Sequence, residues 1–258
     1  MITRARASAL LFGGAVLGST RIVGVAQTAA TLKILGSIVS RGLLDAIDPI
    51  YEKTSNHSVA VQYAGPTIAT IAASEPFDVV IASVATIDTL IKQGLVQADS
   101  QALLGASVAS LAYRSGTSRP DTTTLAALKS VLLNAKAISF SDPAAGGLSA
   151  GFFAGLVQQL GITEDVQRKA IPAKVGEGAV AVGDGRADIG IAGTTEIALL
   201  PGVAGVPLSS SDPKAKTAFS VGVSTKSADP GAARAFVRFL LTADATANRK
   251  AKGFVLEP

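Results

Sequence analysis

Residues Ser141–Gly151 read Ser-Asp-Pro-Ala-Ala-Gly-Gly-Leu-Ser-Ala-Gly, and they join a strand-like apolar run to a helix-like one. A helix start leaves its first amides without intrahelical acceptors and carries partial positive charge, so it can hold a small anion with neutral groups. Gly146 and Gly147 let backbone approach such a guest closely. Joins of the same kind recur at Ser37–Ser40, at Pro66–Thr67 and at Gly176–Gly178. The candidate donors are therefore Ser37, Ser40, Thr67, Gly147 and Ser149. Thr194 follows a further strand-like run, and Arg41 and Arg114 lie close enough to these turns to clamp a carboxylate. For each hydroxyl the competing reading is helix capping, which uses the same lone pairs. For each arginine it is an exposed surface charge.

Other chemistries fit less well. Gly147-Leu148-Ser149-Ala150-Gly151 matches G-x-S-x-G, so a hydrolase using Ser149 is the alternative activity. That motif needs Ser at a strand end and a His later in the chain, whereas the single histidine, His57, comes earlier. Gly176-Glu177-Gly178-Ala179-Val180-Ala181 matches a loose dinucleotide fingerprint, but Pro172 interrupts the strand that should precede it. The chain has no cysteine, which excludes disulfides, thiolate metal sites and Cys nucleophiles. Its acids show no metal-ligand spacing, so neither a metal nor another cofactor is expected.

The chain has 258 residues, 48% of them hydrophobic and 16% charged, a composition that builds a core rather than a disordered chain. Arg4 and Arg6 followed by the apolar run Ala7–Thr20 resemble an export signal, with small residues before a cut between Ala26 and Gln27. The run is too short to span a membrane. Arg4, Arg6 and Arg21 are the only charges before Gln27, so the exported chain would carry 20 basic against 19 acidic residues. With no long basic run left, a nucleic-acid partner is not expected.

Short apolar strands alternate with amphipathic helices, the pattern of βαβ units. Strands are expected at Leu32–Leu35, Val59–Tyr63, Val79–Ala82, Val108–Tyr113, Ala137–Phe140, Ile189–Ala192 and Phe219–Ser224. Helices are expected at Gly42–Lys53, Thr67–Ala73, Ile87–Gln93, Thr124–Leu133, Ser149–Leu160 and Pro230–Leu241. The polar stretches Arg114–Thr123 and Pro207–Thr217 are the natural places for the chain to cross between two lobes.

Four segments then point to one family. Phe77-Asp78-Val79-Val80-Ile81-Ala82 resembles the Ala-Asp-hydrophobic-hydrophobic-Ile-Ser strand of periplasmic molybdate-binding proteins. Ser141-Asp142-Pro143 resembles their Gly-Asp-Pro turn, and Gly185-Arg186-Ala187-Asp188-Ile189-Gly190-Ile191 their Gly-x-Ala-Asp-x-Gly-Ile segment. Ala232–Leu240 followed by Gly253-Phe254 resembles their C-terminal helix. The similarity runs from about Thr31 to Phe254.

The resemblance implies an α/β, two-lobed type II periplasmic-binding-protein fold with a hinge cleft. Lobe 1 would comprise residues 27–113 plus 219–258, lobe 2 residues 114–218, after a signal peptide over 1–26. It implies a monomeric, periplasmic solute-binding protein that works with the membrane subunits of an ABC importer and is not an enzyme. It places the ligand on Ser37 or Ser40, on Thr67 where the family has a second Ser, on Val175, and on Gly193 where the family has a Tyr. Losing that Tyr leaves a roomier lining rich in Ser and Thr, so an organic carboxylate competes with a molybdate-like oxyanion. A ligand-sensing module for a signalling partner is the other non-catalytic alternative.

Overall fold

The structure is a computed structural model that describes residues 31–209 and 212–256. The expected signal peptide lies outside the described residues. In chain order the first half contains β1 (Thr31–Ser37), α1 (Arg41–Ser55), β2 (Ser58–Ala64), α2 (Ile68–Ser74), β3 (Val79–Ser83), α3 (Val84–Lys92) and β4 (Ala102–Arg114). There follow α4 (Leu125–Asn134), β5 (Ile138–Ser141), α5 (Leu148–Gln159), α6 (Thr163–Gln167), β6 (Ala170–Ala173), α7 (Val180–Gly183), β7 (Ile189–Gly193) and α8 (Thr194–Ile197). The last elements are β8 (Val203–Pro207), β9 (Lys216–Val223), α9 (Pro230–Leu240) and α10 (Ala243–Ala251).

Strand order shows two similar halves. In one, β2, β1 and β3 are parallel neighbours, and β3 pairs antiparallel with β9. In the other, β6, β5 and β7 are parallel neighbours, and β7 pairs antiparallel with β4. The long strand β4 belongs to both. Its residues Ala102–Val108 pair with β9, and Ala109–Arg114 pair with β7 on one side and β8 on the other.

The strand expected over Val108–Tyr113 therefore starts at Ala102, and the change of partner falls between Val108 and Ala109, upstream of the polar Arg114–Thr123. The early part was hidden because Gly105, at φ +130°, breaks the register and with it the alternation a strand should show. Strand β6 was not foreseen either. Its Ala-Ile-Pro-Ala sequence carries Pro172, which an edge strand tolerates.

Both faces of each parallel trio are covered, as parallel sheets require. Leu32 and Ile34 of β1 pack with Leu43, Leu44, Ile47 and Phe236 on one face. Leu35, next in the strand but pointing oppositely, packs with Ile68, Ile87 and Leu90 on the other. The second half has its own core of Leu111, Leu128, Leu132, Ile138, Phe153 and Ile189.

The two aspartates of the family-like segments have matching structural duties. Asp78 Oδ2 accepts the Lys33 N–H at 2.9 Å, and Asp188 Oδ2 accepts the Lys136 N–H at 2.6 Å. Each ties the strand it precedes to the start of the neighbouring parallel strand. Asp142, in the Ser-Asp-Pro turn, caps that turn by accepting the Ala144 N–H at 2.8 Å.

Candidate functional site

In open parallel sheets the carboxyl ends of the strands are where ligands gather. Here the ends of β1, β2, β3, β5, β6 and β7 face one cavity of about 250 Å³, through Ser37, Ala64, Ser83, Ser141, Val175 and Ala192. The two halves meet around it. A Cβ on Gly146 would stand 2.8 Å from Pro66 Cγ, and one on Gly176 2.7 Å from Ile38 Cγ2. Both glycines hold positive φ, +81° and +85°, so the seam relies on backbone that other residues rarely adopt.

Three helical starts open onto the cavity. A 3-10 turn over Ile38–Ser40 leads into α1, Ser83 leads into α3, and Gly147 leads into α5. At Gly147 a Cβ would meet Ser141 Oγ at 2.9 Å, so a larger residue would have to turn that hydroxyl aside. Ser83 behaves as a cap, accepting the Thr86 N–H at 3.2 Å. Ser37 does not: it holds the N-cap position, yet its hydroxyl caps nothing, and its Oγ is buried without a partner.

Of the residues expected from sequence, Ser37, Gly147, Ser149 and Val175 line this cavity. The others stand off the lining. Ser40 is fully buried and its hydroxyl donates to the Ser37 carbonyl at 2.7 Å, an internal bond that separates the two serines left open by spacing. Arg41 is exposed and lies over the Tyr63 ring, 4.8 Å from its centroid. Thr67 is exposed at the start of α2. Thr194 accepts the Val108 N–H at 3.1 Å and donates to the Gly253 carbonyl at 2.7 Å, which leaves its hydroxyl no duty toward a guest. Gly193 is not itself in the lining, but a Cβ there would be 2.4 Å from Ser107 Oγ and 3.6 Å from Ser149 Oγ, both of cavity residues. The alternative hydrolase lacks its base: none of the residues lining the cavity is a histidine, and His57 Nδ1 bonds its own loop at Ser55 O, 2.8 Å. The Gly178 fingerprint is a packing device, since a Cβ there would lie 1.9 Å from the Ile191 carbonyl oxygen.

Sequence reasoning missed Ser83, Thr86, Ser107 and, above all, Glu196. Glu196 is the one ionisable side chain among the residues that line the cavity. Its Oε2 accepts the Gly193 N–H at 2.5 Å, and burial pushes its pKa above the ordinary carboxylate value while that hydrogen bond pulls it down. The signal available was Thr-Thr-Glu directly after a buried strand, which places an acid in the first turn of a helix. Ser83 was equally readable as the last residue of a buried strand. No group of three or more metal-ligating side chains occurs among the described residues. No helix among them is long and apolar enough to cross a membrane.

Comparison with known proteins agrees with this architecture. The periplasmic molybdate-binding protein of Azotobacter vinelandii superposes with a TM-score of 0.64 at 22% identity, covering 88% of this chain and 100% of that one. The sulfate-binding protein SubI of Mycobacterium tuberculosis superposes with a TM-score of 0.62 at 20% identity, covering 87% and 86%. These likenesses establish the fold as that of the periplasmic binding proteins. A protein named aconitate isomerase from a Pseudomonas species is 33% identical over 248 residues, 93% of each chain. Residues 32–255 match the family described as bacterial extracellular solute-binding protein, and the chain belongs to that family.

Proposed function

We propose that the protein captures a small organic polycarboxylate in the cleft and presents it to the membrane subunits of an ABC importer. The observation that carries this reading is the meeting of six strand ends and three helical starts on one nearly uncharged cavity. The contacts assigned to the ligand are the hydroxyls of Ser37 and Ser149, the amides that begin at Ser37 and Gly147, and the Val175 wall. The name of the 33% identical relative, which refers to a tricarboxylate, favours an organic acid over molybdate or sulfate.

Lobe 1 would be built on β1–β3 with β9, and lobe 2 on β5–β8, close to the division 27–113 plus 219–258 against 114–218. A ligand touching both favours the closed form, because only that form makes both sets of contacts. The working protein in this reading is an exported monomer cut near Ala26, with the transporter and not a nucleic acid as partner.

A second reading is favoured by the name of the 33% identical relative together with the carboxylate of Glu196. In it the guest is aconitate, propene-1,2,3-tricarboxylate, and the cleft interconverts its isomers.

Thermal denaturation of the exported chain against molybdate, sulfate, phosphate and small di- and tricarboxylates tests the first reading. A ligand at about 100 times its Kd should add about 2.7 kcal/mol, or roughly 5–10 °C in Tm. A response to a neutral sugar or a cation, with none to any anion, overturns it.

A further inference from the structure

We propose that Glu196 is the proton-transfer group of the cleft, acting on a bound unsaturated polycarboxylate that carries a CH2 between a carboxylate and a C=C bond. This rests on the polycarboxylate reading above and assigns the residue that the isomerising version of it needs.

Capture of an anion gives no reason for a carboxylate in the wall. An ionised Glu196 repels the guest, and a glutamine would accept the Gly193 N–H equally well. The neutral remainder of the lining makes the acid stand out further.

Its placement suits proton exchange. Oε2 is anchored on the Gly193 N–H, which fixes the carboxyl plane. Oε1 lies on the opposite side, 3.7 Å from where a Cβ on Gly176 would stand, at the seam between the halves. Oε2 and the hydroxyls of Ser107 and Ser149 all fall within 3.6 Å of the point where a Cβ on Gly193 would be. A side chain at Gly193 would therefore fill the space between base and donors.

Burial alone raises the affinity of this carboxyl for a proton, and no neighbouring charge takes part. The elements packed against α8 are β4, β7, β8 and the 3-10 turn over Ile38–Ser40. Their one charged residue is Arg114, whose guanidinium sits against Gly185. On the adjoining C-terminal segment, Arg249 Nη1 donates to the Leu104 carbonyl at 2.5 Å, and Lys252 lies near Gly42. A carboxyl tuned upward by desolvation holds a proton more readily than an ordinary one, which suits a group that must both take and return it.

The step balances without a co-reactant. Glu196 Oε1 takes a proton from the CH2 carbon. The C–H electron pair becomes a new C=C bond to the adjacent carbon. The former π pair moves to the far carbon, which takes the proton back from the Glu196 carboxyl. Negative charge that builds on the substrate carboxylate in between would be met by the first amides of α5 and by Ser149, whose residues line the cavity. Substrate and product have the same formula.

The test uses the exported chain with the trans isomer of propene-1,2,3-tricarboxylate in D2O. Calorimetry reads binding, and proton NMR reads exchange and isomerisation. The wild type should bind, wash out a CH2 proton and form the cis isomer. Glu196→Gln, which keeps the cap on Gly193 and removes a charge that repels the guest, should bind at least as tightly as wild type while turnover falls roughly 10²–10⁴-fold. Glu196→Asp, with a shorter reach, should keep a residual rate. The wild-type rate should also fall as pH drops through one ionisation.

Undiminished turnover in Glu196→Gln, or tight binding by the wild type with neither exchange nor isomerisation, overturns this assignment and leaves capture standing. Failure of the wild type to bind the tricarboxylate at all removes the reading beneath it as well. Should Glu196→Gln fail to fold, exchange and turnover undiminished in Glu196→Asp, whose carboxyl cannot reach as far, are decisive against the assignment.

Discussion

Ser37→Ala separates a ligand-binding hydroxyl from a structural one by the sign of two effects. Ser37 is 8% exposed, its Oγ has no partner, and it caps neither the 3-10 turn nor α1. An unmet buried polar group costs about 1–3 kcal/mol. Removing the hydroxyl should therefore stabilise the ligand-free protein, by about 1 kcal/mol at the low end of that range. For a chain of this size that is a rise of roughly 2–4 °C in Tm.

Binding should move the other way. A hydrogen bond to a charged guest contributes about 1.5–3 kcal/mol, so Kd should weaken roughly 10- to 150-fold. At a ligand concentration of about 100 wild-type Kd, the stabilisation by ligand should fall from about 2.7 kcal/mol to between about 0.3 and 1.4 kcal/mol. Paired melting curves with and without ligand, and calorimetry for Kd, read both signs on one protein. A variant that melts lower than wild type and binds with unchanged Kd would show that Ser37 is a packing residue, and the assignment of the β1 end as half of the anion site would fail with it.

Two further outcomes follow from the same geometry. Gly146→Ala places a side chain at φ +81° and 2.8 Å from Pro66 Cγ, whereas Gly116→Ala meets the same kind of backbone at φ +84° with nothing within 4 Å. Both should lose about 1–2 kcal/mol, but only Gly146→Ala should also weaken ligand binding, because its clash is with the opposite half; equal affinities in the two variants would refute a closing seam there. Asp48 is held half-buried beside Asp45 and Glu52 with its pKa raised to about 7, mainly by desolvation, and its Oδ1 has no partner. Since the folded pKa exceeds the unfolded one, its contribution is fully present below about pH 4 and is lost as pH rises through about 7. Asp48→Asn should thus stabilise the protein at pH 8 by on the order of 1–2 kcal/mol after solvent screening and change little at pH 4. A Tm gain that is the same at both pH values would refute the assignment of the penalty to ionised Asp48.

The alternation of apolar strands with amphipathic helices was sufficient to read the α/β class, and most element positions agree within a residue or two. What escaped was signalled weakly for a physical reason. Ala102–Ser107 is a strand whose small residues and Gly105 bulge erase the period of two, and Pro172 disguised an edge strand. At the site, spacing located the right turns but could not assign lone pairs. Ser37 and Ser40 look equivalent in sequence; a single internal hydrogen bond to the Ser37 carbonyl commits Ser40 and leaves Ser37 without one. Thr194 was lost to the cavity in the same way, through bonds to Val108 and Gly253 that lie far off in the chain. Glu196 was passed over because an acid is the residue least expected where the sequence is searched for anion donors.

That last mismatch bears on how one fold serves different guests. The segments that make this chain resemble its relatives are occupied with the scaffold: Asp78 and Asp188 fasten strand starts, Asp142 caps a turn, and Ala233, Phe236 and Leu240 of α9 fill the first core. None of these side chains touches the cavity. The residues that do touch it are short, mostly Ser, Gly, Ala and Val. On such a lining one residue would be enough to change the chemistry offered to a guest, and Glu196, at the start of α8, is the one ionisable side chain there. A shared fold over 88% of the chain with a molybdate-binding protein and a different cleft chemistry are therefore compatible, because the two draw on separate sets of residues.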